Sequence, residues 1–402
     1  MPSSSWVCTP WPSSCTPRWK CRPRSGSSSL KGDEPMTAAA NRQPGSESRG
    51  ICVIMAGGRG TRFWPLSRTS RPKQLQALAT GSSLLRDTFE RVAPLVGAER
   101  VLVITSGTLG EPTRLELPEV PARNIICEPM GRNTAPCAVL GLGVAARLDA
   151  TAPVALLPAD HFIPDEDRFR AQLAEAFSLA ARQETVVTLG IRPTRPETGY
   201  GYIQTGEAAA GGSVFPGEAF VEKPNRTVAE GYVRSDRHFW NSGMFVWNPD
   251  HFAAMAARHL PGVCRLMRAP IASFGTPDFP GALTAAYADC PAESVDVAVM
   301  EKLPGFSVLE ADFRWSDLGS WDAWGELADT LEGANHGVGD LLAVASEGNI
   351  IRGGSRLVAL LGVNDLIVVD TPDALLVADK SQAQRIKDII ARLESEGRAD
   401  LL

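Results

Sequence analysis

The feature that most constrains this chain is a short apolar run that opens into a glycine-rich stretch. Residues 51–55 (ICVIM) are all apolar, and residues 56–62 (AGGRGTR) follow directly. An apolar run of this length is typical of a buried strand. Glycine after such a strand lets backbone N–H groups approach a phosphate or a base edge, because no Cβ intervenes. The pattern predicts a loop that holds a nucleoside triphosphate.

Two basic side chains follow the glycines and add positive charge near the end of the same strand. They are Arg62 and Lys73, the latter in residues 72–74 (PKQ). The stretch is not a Walker loop, since G-x-x-x-x-G-K-[ST] is absent, and it lacks the G-x-G-x-x-G of a dinucleotide fold. A tight turn with a solvated arginine is the alternative interpretation of the glycines when they are taken alone.

Short apolar runs alternate with helical stretches from residue 51 onward, which predicts an α/β fold. The predicted strands are 51–55, 101–105, 124–127, 154–157 and 185–189, and the predicted helices are 84–92, 134–148 and 169–181. This alternation favours a Rossmann-like, mixed but mostly parallel sheet with crossover helices. Ligands of such sheets bind beyond the carboxyl ends of the strands, where the chain places its polar motifs.

The 402-residue length favours one large domain plus a smaller one. We predict a nucleotide-binding domain at 51–332 and a small strand-rich domain at 333–402 that ends in a helix at 381–393. Residues 1–50 are rich in Ser, Pro and Arg without periodicity, which predicts disorder or a misassigned start upstream of Met36. A short metal-binding or targeting tail is the rival interpretation.

Composition excludes several classes of function. The formal net charge of −6 argues against nucleic acid as the main partner. No apolar run reaches the ~18 residues of a membrane span. The eight cysteines contain no C-x-x-C pair, which fits thiols in a reducing cytoplasm better than a zinc site or a disulfide framework.

Two polar motifs follow predicted strands. Asp160, in residues 157–161 (LPADH), is placed where a carboxylate and a triphosphate would need a hard cation such as Mg²⁺ between them. A turn or N-cap aspartate is the alternative. Asn133, in residues 128–136 (EPMGRNTAP), can cap the following helix, whose N-terminus would suit a base edge or a phosphate.

Taken together, these motifs resemble the signature of sugar-1-phosphate nucleotidyltransferases. Residues 63–68 (FWPLSR) and Gln74 are most similar to the mannose-1-phosphate guanylyltransferase branch. The resemblance extends through 196–203 (PETGYGYI), 220–224 (FVEKP), 240–245 (WNSGMF) and 314–321 (RWSDLGSW), in the order of the family. It also implies that the C-terminal domain is a small left-handed β-helix, which here could lack a coil.

The resemblance implies a role for each matching residue. Catalytic roles fall on Arg62, Lys73, Asp160 and Lys223. Nucleotide contacts fall on Ala56, Gly57, Gly58, Gly60, Thr61, Arg62, Lys73, Arg132, Asn133, Thr134, Pro158 and Asp160. Sugar-phosphate contacts fall on Gly199, Tyr200, Gly201, Glu222, Lys223, Asn241 and Ser242, and the metal ligands are Asp160 and Asp317.

The implied reaction joins GTP and mannose 1-phosphate to give GDP-mannose and pyrophosphate, with Mg²⁺ as cofactor. The implied enzyme is cytoplasmic, binds neither nucleic acid nor membrane, and could be a homodimer. We expect no second activity, because only a short helix follows the strand-rich tail. The alternatives are a relative that uses another nucleotide or sugar phosphate, and a non-catalytic regulator that binds nucleotide sugars.

Overall fold

The computed structural model describes residues 50–58, 60–183, 185–208 and 212–402, so the expectation for residues 1–49 lies outside the described residues. The strands of the larger part are β1 (Ile51–Ala56), β2 (Val101–Ser106), β3 (Ile125–Glu128), β4 (Val154–Pro158), β5 (Val186–Ile191), β6 (Tyr202–Thr205), β7 (Val214–Val221), β8 (His238–Trp247) and β9 (Phe306–Glu310). Its helices are α1 (Leu84–Val96), α2 (Gly110–Glu116), α3 (Thr134–Leu148), α4 (Glu166–Gln183), α5 (Arg226–Arg234), α6 (Pro249–His259), α7 (Pro261–Ser273), α8 (Phe279–Ala288), α9 (Val295–Ala298) and α10 (Trp321–Gly325).

The described strands of this part form one nine-stranded sheet in the order β3-β2-β1-β4-β8-β5-β9-β7-β6. Strands β3, β2, β1 and β4 are parallel neighbours, as is the pair β5 and β9. Strand β8 lies antiparallel between β4 and β5, and β6 and β7 pair antiparallel beyond them. The predicted mixed sheet is confirmed. Parallel pairing predominates among β3, β2, β1 and β4, whereas most pairs in the rest of the sheet are antiparallel.

Alternation along β1 explains why helices cover both faces of the sheet. Ile51 and Val53 belong to one buried core, whereas Cys52 and Ile54 belong to another. Successive side chains of a strand point to opposite faces, so a strand that is apolar throughout needs a packed layer on each side. Helix α3 supplies much of one layer and α1 and α4 supply the other. The carboxyl ends of the four parallel strands therefore form one edge with packed support beneath it.

Beyond residue 335 the chain forms a β-helix-like unit. Its strands are β10 (His336–Val338), β11 (Leu341–Val344), β12 (Ile350–Arg352), β13 (Val358–Leu361), β14 (Leu366–Asp370) and β15 (Leu375–Asp379). Strands β10, β12 and β14 pair in parallel, as do β11 and β13, so successive coils stack in register. Asn335 and Asn349 are fully buried, and the Asn349 side chain donates to the Asn335 side-chain oxygen at 2.8 Å.

The predicted terminal helix consists of two consecutive elements. A short 3-10 helix (Lys380–Arg385) comes first, and the C-terminal α-helix α11 (Ile386–Ser395) follows it directly. Helix α11 does not stand alone. Its buried Ile386 belongs to a core that also contains Phe63 and Trp64 beside the glycine-rich loop, and Trp321. The two parts of the molecule thus share a hydrophobic core directly behind that loop.

In the described part of the chain, no helix has the length and apolarity that crossing a membrane requires.

Candidate active site

The glycine-rich loop is fixed by residues that follow it in sequence. Gln74 is buried, and its side-chain amide donates to the carbonyl oxygens of Ala56 at 2.7 Å and Gly58 at 2.9 Å. Gly60 has a φ of 55°, and a Cβ there would lie 2.3 Å from the Lys73 Cβ. Only glycine permits both the left-handed backbone and the close approach. The loop and Lys73 are therefore built as one unit.

Lys73 connects the two aspartates that the sequence placed far apart. Its ammonium group donates to Oδ2 of Asp160 at 2.8 Å and to the backbone carbonyl of Asp317. The segments that carry these aspartates form a short antiparallel bridge, in which Phe162 and Ser316 exchange backbone hydrogen bonds of 2.9 and 3.0 Å. The structure thus brings both segments to the carboxyl end of β4.

The electrostatics favour an ionised Asp160. Partial burial tends to raise the pKa of this carboxyl, but the positive charge and hydrogen bond of Lys73 outweigh burial and leave the pKa below its ordinary value. The Lys73 side chain is 6% exposed and the Asp160 side chain is 39% exposed, so the lysine is enclosed whereas the carboxylate faces the crevice.

Asp317 is held in place by Tyr200, one of the predicted sugar-phosphate residues. The Tyr200 hydroxyl donates to Asp317 Oδ1 at 2.6 Å, and the Gly319 N–H donates to the same oxygen at 3.0 Å. The Tyr200 ring packs edge-on against Trp240 and Trp315. Tyr200, predicted to contact sugar phosphate, therefore also orients a predicted metal ligand.

His161 has a structural environment. Burial lowers its pKa to about 4, and its Nδ1 accepts a 3.2 Å hydrogen bond from the Trp315 indole. The imidazole is consequently neutral at physiological pH and joins the two aspartate segments.

A pocket of about 310 Å³ opens beside these groups. Its lining contains most of the predicted nucleotide residues: Ala56, Gly57, Gly58, Gly60, Arg132, Asn133, Thr134, Pro158 and Asp160. Other predicted nucleotide residues lie outside this lining. Thr61 lines a different, small cleft next to the C-terminus, and the exposed Arg62 donates from Nη1 to the Gly319 carbonyl at 3.1 Å.

The N-terminus of α3 borders the pocket, but its first N–H groups are already bonded within the protein. Asn133 Oδ1 accepts from the Thr134 N–H at 2.8 Å, which confirms the predicted cap. The Ala135 N–H donates to the Glu293 carbonyl at 2.9 Å, and Thr134 Oγ1 accepts from the Val295 N–H. These bonds leave fewer free donors for an anion at this helix end than the sequence suggested, and they join the loop to the chain around Glu293 and Val295.

The predicted sugar-phosphate residues form a second cluster. Oε2 of Glu222 lies 2.5 Å from where a Cβ on Gly201 would be, and Lys223 donates to Glu222 Oε1 at 2.7 Å. Asn241 donates from its backbone N–H to the Gly201 carbonyl at 2.8 Å and from its side chain to Asp296 Oδ1 at 2.9 Å. The absence of a side chain at Gly201 lets the Glu222 carboxylate lie directly against the backbone there.

Two predicted sugar-phosphate residues have other partners. Ser242 is buried, and its hydroxyl donates to the Leu189 carbonyl at 2.6 Å, which places it within the sheet. The backbone N–H of Gly199 donates to Glu197 Oε1 at 2.9 Å. Both residues support the cluster, and direct ligand contact by either one stays a prediction.

Sequence reasoning missed three side chains at these sites. In the sequence, Gln74 was used only as a mark of the mannose-1-phosphate guanylyltransferase branch. In the structure, its buried side-chain amide holds the glycine-rich loop in place. Glu128, the last residue of β3, lines the pocket, and burial raises its pKa to about 7. Asp296 lies beside Asn241, and its pKa is raised to about 6 by burial and then by the charge of Glu222. Their positions next to motif residues were the available signal.

The donor set at the crevice fits one hard divalent cation. Lys73 uses one oxygen of Asp160, and Tyr200 with Gly319 use one oxygen of Asp317, so each carboxylate keeps acceptor capacity. Among the described residues there is no cluster of three or more His, Cys, Asp or Glu side chains suited to a metal. Magnesium is commonly held by one or two carboxylates with substrate phosphates completing its shell, and two carboxylates satisfy that need.

Comparison with known proteins accounts for this arrangement. The family model described as "Nucleotidyl transferase" matches residues 51–333. The chain belongs to this family of enzymes. A second model, "MannoseP isomerase/GMP-like beta-helix domain", matches residues 339–393 and confirms the β-helix-like character of the C-terminal unit.

Individual relatives agree with the family. The chain is 38% identical to the mannose-1-phosphate guanylyltransferase of Escherichia coli K12 over 368 residues, covering 88% of this chain and 75% of that protein. It is 35% identical to the xanthan biosynthesis protein XanB of Xanthomonas campestris over 350 residues, covering 87% and 74%. A solved structure described as a mannose-1-phosphate geranyltransferase from Thermus thermophilus is 36% identical, with a TM-score of 0.76, and is matched over 86% of this chain and 99% of its own.

Proposed function

We propose that this protein transfers GMP from GTP to mannose 1-phosphate, giving GDP-mannose and pyrophosphate. The observation that carries the proposal is the convergence of Asp160 and Asp317 on Lys73 at the mouth of a glycine-lined pocket. The relative from Escherichia coli K12 that is named for this activity shares 38% of its aligned residues with the chain, which supports the choice of substrates.

The chemistry needs positioning and charge neutralisation more than a protein nucleophile. A sugar phosphate has a second pKa near ~6, so at neutral pH it is mostly a dianion and can attack the α-phosphorus of GTP directly. The bond from that phosphorus to the bridging oxygen breaks as the new P–O bond forms, and pyrophosphate leaves. Lys73 and Arg62 would hold the triphosphate, and Lys223 would hold the sugar phosphate in line.

Nucleotidyl transferases use a divalent cation, and we propose Mg²⁺ on Asp160 and Asp317. When bound, the ion would neutralise charge on the phosphate oxygens. The protein's part is to hold the two carboxylates in place, which Lys73 does for Asp160 and Tyr200 does for Asp317.

The experiment is a pyrophosphate-release assay with a panel of nucleoside triphosphates and sugar 1-phosphates. The proposal predicts that GTP with mannose 1-phosphate gives the highest kcat/KM. Preference for another pair would establish a related nucleotidyltransferase instead. Absence of release with every pair, together with nucleotide-sugar binding, would support the regulator alternative.

Two variants test the assigned roles within the same assay. Asp160→Ala and Lys73→Ala should each lower turnover by roughly 10²–10³, because each removes a charge-stabilising group. The matched controls are Asp312→Ala and Lys387→Ala, at exposed positions away from the pocket. Activity of Asp160→Ala or Lys73→Ala at the level of the controls would contradict the roles.

Location and assembly stay part of the proposal. No disulfide joins the cysteines among the described residues, which supports a reducing, cytoplasmic setting. The homodimer is a prediction that light scattering on the purified protein would check.

A further inference from the structure

Arg91 is a buried arginine that lies beside the Asp160 segment. It is on the core-facing side of α1 and is 3% exposed, and its Nη2 donates to the His161 backbone carbonyl at 3.3 Å. Arg91 does not line the nucleotide pocket. Because His161 directly follows Asp160, this hydrogen bond holds the peptide next to the proposed metal ligand.

The surroundings of Arg91 compensate its charge only in part. Among the described residues it forms no salt bridge, and its Nε atom has no hydrogen-bond partner. Burial lowers its pKa to about 10, and the more distant charges of Asp87 and Glu166 oppose this lowering without cancelling it. The guanidinium is therefore still charged at neutral pH. A buried charge with so few partners is weak evidence for a role in stability, so a role in placing another group explains it better.

Helix α4 fixes the position of the guanidinium. The guanidinium carbon of Arg91 lies 5.5 Å from the centre of the Phe169 ring, which is itself buried. The Arg170 side chain donates to the Arg91 backbone carbonyl at 3.4 Å and so ties α4 to α1 at the same level. The position of the donor that reaches the His161 carbonyl is thus set by two packed helices.

The chain on either side of Asp160 is held by main-chain hydrogen bonds. Before it, the Ala159 N–H donates to a carbonyl of β1 at 3.1 Å, and after it Phe162 belongs to the bridge described above. Between these two points, Arg91 supplies the hydrogen bond at the His161 carbonyl. Loss of this bond would leave the carbonyl buried without its donor, a cost that a shift of the segment would relieve.

We propose that Arg91 is a positioning residue for Asp160, which sets the direction of that carboxylate, and so the affinity for the divalent cation, by holding the His161 carbonyl. This inference rests on the proposed function, in which Asp160 is a ligand of the ion. Replacement of a residue that orients a metal ligand typically changes metal affinity or activity by roughly 10- to 100-fold. Because Arg91 acts through the main chain, we expect an effect of about 10-fold, at the lower end of this range.

Arg91→Lys is the main test. Lysine keeps a positive charge that can pack on Phe169, but its side chain is shorter and ends before the position of Nη2, so it should lose the bond to the His161 carbonyl. The Kd for Mn²⁺, measured by electron paramagnetic resonance with and without GDP-mannose, should rise about 10-fold. The Mg²⁺ concentration for half-maximal pyrophosphate release should rise in parallel, whereas KM for mannose 1-phosphate should change by less than about twofold, since Arg91 does not contact the sugar-phosphate cluster.

Two further variants separate positioning from stability. Arg91→Met removes the charge as well as the donor, and it should weaken Mn²⁺ binding at least as much as Arg91→Lys does. Arg86→Met is the matched control on the same helix, because the Arg86 guanidinium pairs with Glu90 and Glu119 instead of contacting the Asp160 segment. It should lower the thermal stability without changing the Kd for Mn²⁺.

The outcomes keep this inference apart from the proposed function. If the wild type releases no pyrophosphate from GTP and mannose 1-phosphate, the proposed function fails, and the Mn²⁺ titration, which needs no turnover, still decides the role of Arg91. A wild type that binds no Mn²⁺ overturns the inference. It is likewise overturned if a folded Arg91→Lys binds Mn²⁺ less than about threefold more weakly than the wild type, or if Arg86→Met weakens binding equally. If one of the two Arg91 variants does not fold, the other decides by the same threshold.

Discussion

At the scale of single residues, the glycine-rich loop owes its shape to contacts that a motif does not display. The sequence predicted Gly60 and Lys73 as site residues from their resemblance to a family. The structure adds that the Gly60 backbone lies directly against Lys73 and that Gln74 ties the loop down. These contacts join residues that are 13 or more positions apart in the sequence, so local secondary-structure propensity does not determine them.

Gly60→Ala should damage the site through Lys73. The new Cβ would meet Lys73 Cβ at 2.3 Å and its backbone nitrogen at 2.8 Å, in a backbone with positive φ. Such strain costs about 1–3 kcal/mol, and a displacement of about 1 Å at a catalytic group can cost ~10² in rate. Urea unfolding and steady-state kinetics measure both. The control is Gly81→Ala, where a Cβ would meet no atom within 4 Å; equal behaviour of the two variants would contradict the account.

Glu128 makes the stability of the ligand-free protein depend on pH. Burial raises the pKa of its carboxyl from 4.5 to about 7. Between these values the folded state binds more protons than the unfolded state, so the contribution of Glu128 to stability falls as pH rises through this window and is constant above it.

Glu128→Gln cannot ionise and should remove this dependence. The free energy of unfolding of the variant, relative to wild type, should increase by on the order of 1–3 kcal/mol between pH 5 and pH 8. Urea titrations at the two pH values measure the difference. A difference that is independent of pH would show that Glu128 titrates as an ordinary exposed carboxyl.

At the scale of elements, the first half of the sheet was the more predictable part. Strands β1 and β4 are continuous apolar runs, β2 begins with four apolar residues, and α3 begins directly after Asn133, as the predicted cap indicated. The sequence did not place β8 between β4 and β5, because this antiparallel insertion depends on pairing partners that are 49 to 93 positions apart in the sequence. Helices α6 to α8 were not predicted, and α8 carries Tyr287, whose hydroxyl donates a hydrogen bond to Glu128 Oε1 at 2.6 Å.

The C-terminal helix α11 packs behind the glycine-rich loop and helps to support it. Ile386 is 2% exposed in the core that includes Phe63 and Trp64, and the Trp64 indole donates to the Leu401 carbonyl at 2.9 Å. The β-helix-like unit also contacts the segment that follows the loop, through an ion pair between Arg68 and Asp373 at 2.9 Å. Support for the loop therefore comes from the far end of the chain.

Ile386→Ala should destabilise the protein and loosen the loop together. Removing this buried side chain should cost about 2–4 kcal/mol and raise KM for GTP, because the space left behind adjoins the packing under Phe63 and Trp64. Thermal denaturation and kinetics measure the two effects. Lys387→Ala, next along the same helix and exposed, should change stability by less than ~0.5 kcal/mol. Loss of stability without any change in KM would contradict the coupling.

At the scale of the whole molecule, the two parts meet at the glycine-rich loop. The sequence predicted a boundary near residue 333 and a strand-rich tail, and that boundary stays a prediction. What the sequence could not show is the shared core, since Trp321 and Ile350 acquire their common neighbours only after both parts fold. The arrangement of the crevice follows the same logic: Asp160 and Asp317, 157 positions apart, are joined by the bridge between Phe162 and Ser316.

We propose that guanosine triphosphate lies in the glycine-lined pocket with its phosphates between the two aspartate segments. A crystal structure of the protein with Mg²⁺, mannose 1-phosphate and a GTP analogue that resists cleavage after the α-phosphorus tests it most directly. We predict the base inside this pocket, the triphosphate along Gly57, Gly58 and Gly60, and one metal ion contacted by both Asp160 and Asp317. Nucleotide bound elsewhere, or aspartates that do not share the ion, would contradict the claim.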